Sequence, residues 1–282
     1  MIEVNKKQQK IDQAWNKLYE RLQKDHLIPE KRPQKYISRF RIAGAMVAMA
    51  AVFTCLIYIL TYKSEKAEVR KNLYSHTNSA ISTLVKTLED GSVIFLTQKA
   101  WLECPKHFAT DKRVVNLQGE AFFDIAKNSE RPFYINTGKV QIKVLGTAFN
   151  VRSDCSVPFS LAVRHGKVKV SLIQGGQDVF VNAGEMVTLN GNRLHITRNE
   201  TQGLFDHYFD KLRFKDESVE NILRVINKNT AGLQLQTATP QLGQRKLTLE
   251  IEETSPEMVA ELISMALNLQ YTRQGDKLII SE

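Results

Sequence analysis

Between Ile42 and Tyr62 the chain reads IAGAMVAMAAVFTCLIYILTY, 21 residues without a charge. A helix rising ~1.5 Å per residue would cover about 30 Å over that length, the hydrocarbon thickness of a bilayer. In lipid every backbone polar group needs a partner, and a single helix supplies them all. Arg39 and Arg41 precede the run, and Lys63 and Lys66 follow it. Tyr58 and Tyr62 lie near its far end, where amphipathic rings suit an interface. The sequence therefore predicts a single transmembrane helix over 42–62. A buried core helix or a cleaved signal peptide fits less well. The run is too long for either, 41 residues precede it, and no small-residue cleavage pattern follows.

Charge gives the run a direction. The 282 residues carry a formal net charge of +9. Residues 1–41 hold eleven Lys and Arg against five Asp and Glu, so most of the excess precedes the apolar run. The positive-inside bias predicts an inner-membrane protein with a cytoplasmic N-terminus and an exported, periplasmic C-terminal part. The arm has no nucleic-acid reading motif, and its cations suit anionic headgroups, so direct nucleic-acid binding is not expected. Three cysteines make no disulfide framework. Cys55 falls in the apolar run, and nothing in the sequence fixes the distance between Cys104 and Cys155.

Within the arm, Ile11, Ala14, Trp15, Leu18, Tyr19 and Leu22 recur at helical spacing and form one apolar stripe. A lone helix cannot bury that stripe in itself, so it lies either on the inner leaflet or against a partner protein. Trp15 and Tyr19 would anchor either contact. From Ile81 the pattern changes to short alternating runs, among them SVIFLT at 92–97, RVVNL at 113–117 and AFFDI at 121–125. Asp90-Gly91, Gly175-Gly176 and Asn190-Gly191 punctuate them as turns, and Gly119-Glu120 reads as another. After Phe205, strands and helical stripes mix. Ser218, Glu220, Ile222 and Ile226 recur 37 residues later as Ser255, Glu257, Val259 and Ile263. The expected architecture is multi-domain. It comprises an arm at 1–41 with a short helix, a transmembrane helix at 42–62 and a stalk at 63–80. An all-β domain at 81–199, a sandwich or short solenoid, precedes an α+β domain at 205–282 with two βαβ-like halves.

Several stretches resemble FecR-type anti-sigma factors: LEDGSVIFL at 88–96, RVVNLQGEAFFD at 113–124, VLGTAFNV at 144–151 and GKVKV at 166–170. The α+β part resembles the signalling domain of TonB-dependent outer-membrane receptors. The resemblance implies a regulator that holds an extracytoplasmic-function sigma factor with its cytoplasmic arm. It also implies that the periplasmic part hears a TonB-dependent receptor, and that membrane proteases help release the sigma factor. Trp15, Leu18, Tyr19 and Leu22 are then the candidate sigma contacts, chosen from the stripe rather than from a family motif. Some members of the family cleave themselves at a Gly-Thr bond, here Gly146-Thr147. A threonine hydroxyl can attack the preceding carbonyl if a strained turn presents it. Otherwise Gly146 serves a bend between strands, and Thr147 is a surface residue.

No conventional enzyme constellation is present, and no cofactor or metal site is expected: HExxH, CxxC, phosphate loops and nucleophile elbows are all missing. The aromatics at 122, 123, 133, 134, 149 and 159 read as core, although an exposed row could take sugar. A membrane-tethered periplasmic scaffold without sigma contact is the alternative, and an envelope hydrolase is disfavoured.

Overall fold

The computed structural model describes residues 2–28, 49, 51–58, 73–154, 157–174, 176–198, 203–252 and 254–282. It divides into two units, Met1–Ser64 and Glu65–Glu282. The first contains α1 (Ile2–Lys24), an amphipathic helix with Arg21 and Lys24 in its last turn, where cations complement the helix dipole.

The multi-domain expectation needs correction in three places. Of 42–62, only Met49 and residues 51–58 are described. They are helical, and the rest of 42–62 lies outside the described residues. Among the described residues no helix is long and apolar enough to cross a membrane, so the expected transmembrane helix is not found. The second and third corrections concern Glu65–Glu282, which is mostly β and forms one compact unit rather than a β body and a separate α+β body.

Two sheets share one long strand. Sheet A runs β1 (Leu73–Thr77), β4 (Trp101–Pro105), β5 (Arg113–Asp124), β6 (Phe133–Asn136), β7 (Val140–Val144), β10 (Lys167–Leu172) and β11 (Asp178–Asn182). Sheet B runs β13 (Arg193–Arg198), β12 (Glu185–Asn190), β9 (Ser160–His165), β8 (Ala148–Ser153), β5, β3 (Val93–Leu96), β2 (Thr83–Thr87), β14 (Leu212–Ser218) and β16 (Lys246–Ile251). The first half of β5 pairs with β4 and β6, and the second half with β3 and β8. Gly119 sits at the crossing with φ +95°, and a Cβ there would lie 2.8 Å from the Ala100 Cα. The expected turn at Gly119-Glu120 is therefore a bend inside one strand, made possible by a residue without a side chain.

A first core fills the space between the sheets with Ile94, Leu96, Phe123, Phe133, Ile142, Phe149 and Val170, among others. The alternate residues of sheet B point the other way. Val85, Phe95, Phe122, Ala148 and Ala162 join a second core with Phe205, Tyr208 and the helices α2 (Val219–Asn229) and α4 (Pro256–Leu267). The C-terminal part thus covers the back of sheet B. It also extends the sheet, because β14 lies parallel to β2 and antiparallel to β16.

The two halves have a different layout from βαβ units. In each half, the strand before the helix (β14 or β16) enters sheet B. The strand after it enters sheet C, whose order is β15 (Gln234–Thr237), β18 (Lys277–Ser281), β17 (Gln270–Gln274). Local chemistry explains the helix boundaries. The Ser218 hydroxyl accepts the Asn221 N–H at 3.3 Å to cap α2. Pro256 opens α4, and Asn268 closes it in the left-handed conformation at φ 53°. Between them lies α3 (Pro240–Gln244), also opened by a proline.

Candidate functional site

On α1, Trp15, Leu18 and Tyr19 are exposed and Leu22 is half-buried. Trp15 is 64% accessible, a large apolar surface to leave facing water. Helical spacing brings these four residues onto one face. The side chains on the opposite face, from Lys10 to Arg21, are exposed as well.

Gly146 and Thr147 lie between β7 and β8, far along the chain from the stripe. The bend is clamped: the Asn128 N–H donates to the Leu145 carbonyl at 2.7 Å, and the Ile125 N–H to the Thr147 carbonyl at 3.1 Å. A Cβ on Gly146 would stand 2.6 Å from the Lys127 Cα, so the glycine is required by close approach. Thr147 is buried rather than on the surface, at 1% exposure. Its hydroxyl donates to the Lys167 carbonyl at 3.1 Å. A Cβ on Gly166 would come within 2.9 Å of that hydroxyl oxygen. The hydroxyl is engaged by a main-chain carbonyl, and no side-chain base bonds to it among the described residues. A hydroxyl so held joins the start of β10 to the β7–β8 bend.

The stretches that carry the family resemblance meet in pairs. Thr147 touches Gly166 and Lys167, as above. Asp90, in the turn before β3, meets Arg113 at the start of β5. Arg113 is fully buried and donates from Nη1 to Asp90 Oδ2 at 2.6 Å and to the Ala126 carbonyl at 3.0 Å. Its Nε donates to the Arg131 carbonyl at 2.8 Å. Ser92 Oγ donates to the same Asp90 oxygen at 2.7 Å. A buried guanidinium needs this set of partners, because losing one would leave a charge without compensation.

One cluster was not anticipated from the sequence. Tyr208 is fully buried, and its hydroxyl donates to Glu120 Oε1 at 2.8 Å. Arg152 Nε donates to Glu120 Oε2 at 2.9 Å from directly across the β5–β8 ladder. Asn150 Nδ2 reaches the Tyr208 oxygen at 3.5 Å, while its Oδ1 accepts the Ala162 N–H at 2.9 Å. Burial, then the Glu120 charge, pushes the Tyr208 phenol far above the ordinary tyrosine value. The hydrogen bond to Glu120 raises Arg152. The cluster ties the single-turn helix Asp206–Tyr208 to the back of sheet B.

Cys104 is buried and free, and burial pushes its thiol up; Cys155 lies outside the described residues. Among the described residues no group of His, Cys, Asp and Glu could hold a metal ion.

No curated protein matches the chain. Two crystal structures of a candidate anti-sigma factor from Parabacteroides distasonis, at 2.50 and 1.65 Å resolution, are similar to it at 21% and 20% identity. Each match covers 74% of this chain and 99% of that one, with TM-scores of 0.47 and 0.46. Residues 76–169 match the model of the FecR protein family. The contacts of Asp90 with Arg113 and of Thr147 with Lys167 thus lie inside the stretch that matches the FecR family model, as its motifs imply.

Proposed function

We propose that the chain is an anti-sigma regulator: α1 captures a sigma factor of the extracytoplasmic-function class, and the unit Glu65–Glu282 receives the signal that frees it. The exposed stripe of Trp15, Leu18 and Tyr19 beside Leu22, on a chain with a FecR segment, is the observation that carries this reading. An amphipathic helix laid into a partner's groove is a recurrent way to bury such a face. In this reading the protein resides at the inner membrane, with residues 1–41 cytoplasmic and the larger unit periplasmic. Membrane proteases complete the release.

The signal comes from the periplasmic signalling domain of a TonB-dependent receptor. Strand β17 supports this, because it is exposed along its length and among the described strands pairs only with β18. An open edge of this kind can accept a further strand.

Capture of the sigma factor by the detergent-solubilised full chain tests the first half. Trp15→Ala combined with Leu18→Ala is expected to abolish capture and leave the melting of Glu65–Glu282 unchanged. Capture equal to that of the parent protein would favour the alternative, a tethered scaffold whose arm is only an anchor. Protease added to intact spheroplasts should cut around Lys139; full protection there would contradict the location.

A further inference from the structure

The outward face of sheet A carries two adjacent cross-strand rows that the regulatory reading does not use. The register places Glu103, Asn116, Asn136, Gln141, Ser171 and Asp178 side by side across β4, β5, β6, β7, β10 and β11. The first four are linked in sequence. Asn116 Nδ2 donates to Glu103 Oε2 at 2.6 Å, Asn136 Nδ2 to Asn116 Oδ1 at 3.1 Å, and Gln141 Nε2 to Asn136 Oδ1 at 3.1 Å. Each amide has two N–H groups and an acceptor oxygen, so the chain of bonds leaves donors and lone pairs pointing outward.

The next row is Tyr134, Lys143, Lys169 and Phe180. Two features in it oppose stability. Lys143 and Lys169 are direct cross-strand partners, and like charges so placed repel. Phe180 is a large apolar ring on an open face, 56% exposed. Asp178 neutralises Lys169 at 2.6 Å. Lys143 and Lys167 have no carboxylate partner among the described residues; instead their amines stand 5.6 and 5.3 Å from the rings of Tyr134 and Phe180. Together with Leu145, the three lysines and Phe180 line a groove of about 520 Å³. At ~4.8 Å per strand, the row from β6 to β11 spans about 14 Å.

From this geometry we propose that the outer face of sheet A binds a carboxylated oligosaccharide, a chain of uronic-acid type. The amide row matches vicinal hydroxyls, which both donate and accept. Lys143 and Lys167 meet the carboxylates, and the rings of Tyr134 and Phe180 take the apolar faces of the sugar rings. A neutral sugar would leave Lys143 and Lys167 uncompensated. An acidic peptide would satisfy the lysines but leave the amide row without hydroxyl partners.

The test is calorimetric titration of the full chain in mild detergent with oligogalacturonate, with neutral cello-oligosaccharide and polyglutamate as parallel arms. Binding is expected only with oligogalacturonate, and it should weaken as salt screens the lysines. Lys143→Gln and Phe180→Ala should each weaken it about tenfold, a change of ~1.4 kcal/mol, with the melting temperature unchanged. Three results would overturn the proposal: no signal with oligogalacturonate at millimolar concentration, equal binding of cello-oligosaccharide, or equal binding of polyglutamate, which would make the face an acidic-peptide surface. Variants that bind like the parent protein would overturn it as well. The stripe on α1 takes no part, so loss of sigma capture leaves this result standing and the reverse also holds.

Discussion

Sheets A and B share β5 and differ in what lies behind them, and the strand records the difference along its own length. Over 113–118, burial alternates: Arg113, Val115 and Leu117 face the first core, while Val114, Asn116 and Gln118 face outward. After Gly119, Ala121, Phe122 and Phe123 are all buried, because Phe122 has a second core to enter. Alternation is the mark of a sheet with one wet face, and a continuous apolar run is the mark of a sheet covered on both. Sheet B therefore announces in its own sequence that something must cover it, and residues 205–282 do so.

The largest test of this contrast places an alanine on each kind of face. Phe122→Ala opens a hole between sheet B and the C-terminal part and should cost about 3–5 kcal/mol in denaturant unfolding. Phe180→Ala on the open face of sheet A should stay within ~0.5 kcal/mol. Equal costs would break the comparison. Both proteins should unfold in a single transition, and two separated transitions would mean that the cover can lift from sheet B alone.

The crossing itself gives the next effect. Gly119→Ala puts a methyl 2.8 Å from the Ala100 Cα at a positive φ, and should cost about 1–3 kcal/mol by the same measurement. A neutral result would show that β5 can pass between the sheets without its bend.

At the junction, Tyr208→Phe removes the hydroxyl from Glu120 and should cost about 1–2 kcal/mol at neutral pH. Its pH dependence is more informative. The folded phenol titrates above the unfolded one, so its stabilising contribution is complete below the ordinary tyrosine value near 10 and is lost as pH rises beyond it. The variant should lack that alkaline decline, which urea midpoints measured above neutrality would show.

The smallest effect belongs to sheet A. Burial, then Lys86, holds His76 below its ordinary value of 6.5, so the protein should lose a little stability as pH falls below that value. His76→Gln should flatten this slope in the same midpoints. An unchanged slope would assign it to other groups.

How much was legible in the sequence follows the same division. The start of β5 was legible from RVVNL at 113–117, because one wet face imposes a period of two. The stripe on α1 was legible for the corresponding helical reason. Strand β5 was read as two strands, because a Gly-Glu pair looks alike whether it turns the chain or bends it past Ala100. Thr147 looked like a surface residue because its partner, the Lys167 carbonyl, lies 20 residues further along the chain. The Tyr208 cluster was hidden more deeply, since its hydroxyl reaches across 88 residues to Glu120. Local pattern reports which face is wet, and is silent on what arrives from far away to dry it.

The parallel pairing of β2 with β14 also bears on how the protein is made. During synthesis the FecR stretch emerges well before the residues that cover it. Until those arrive, Val85, Phe95 and Phe122 form a sticky wall open to any neighbouring chain. Excising the family-matched segment by itself would make that passing exposure permanent, so a soluble fragment should extend through the final strand.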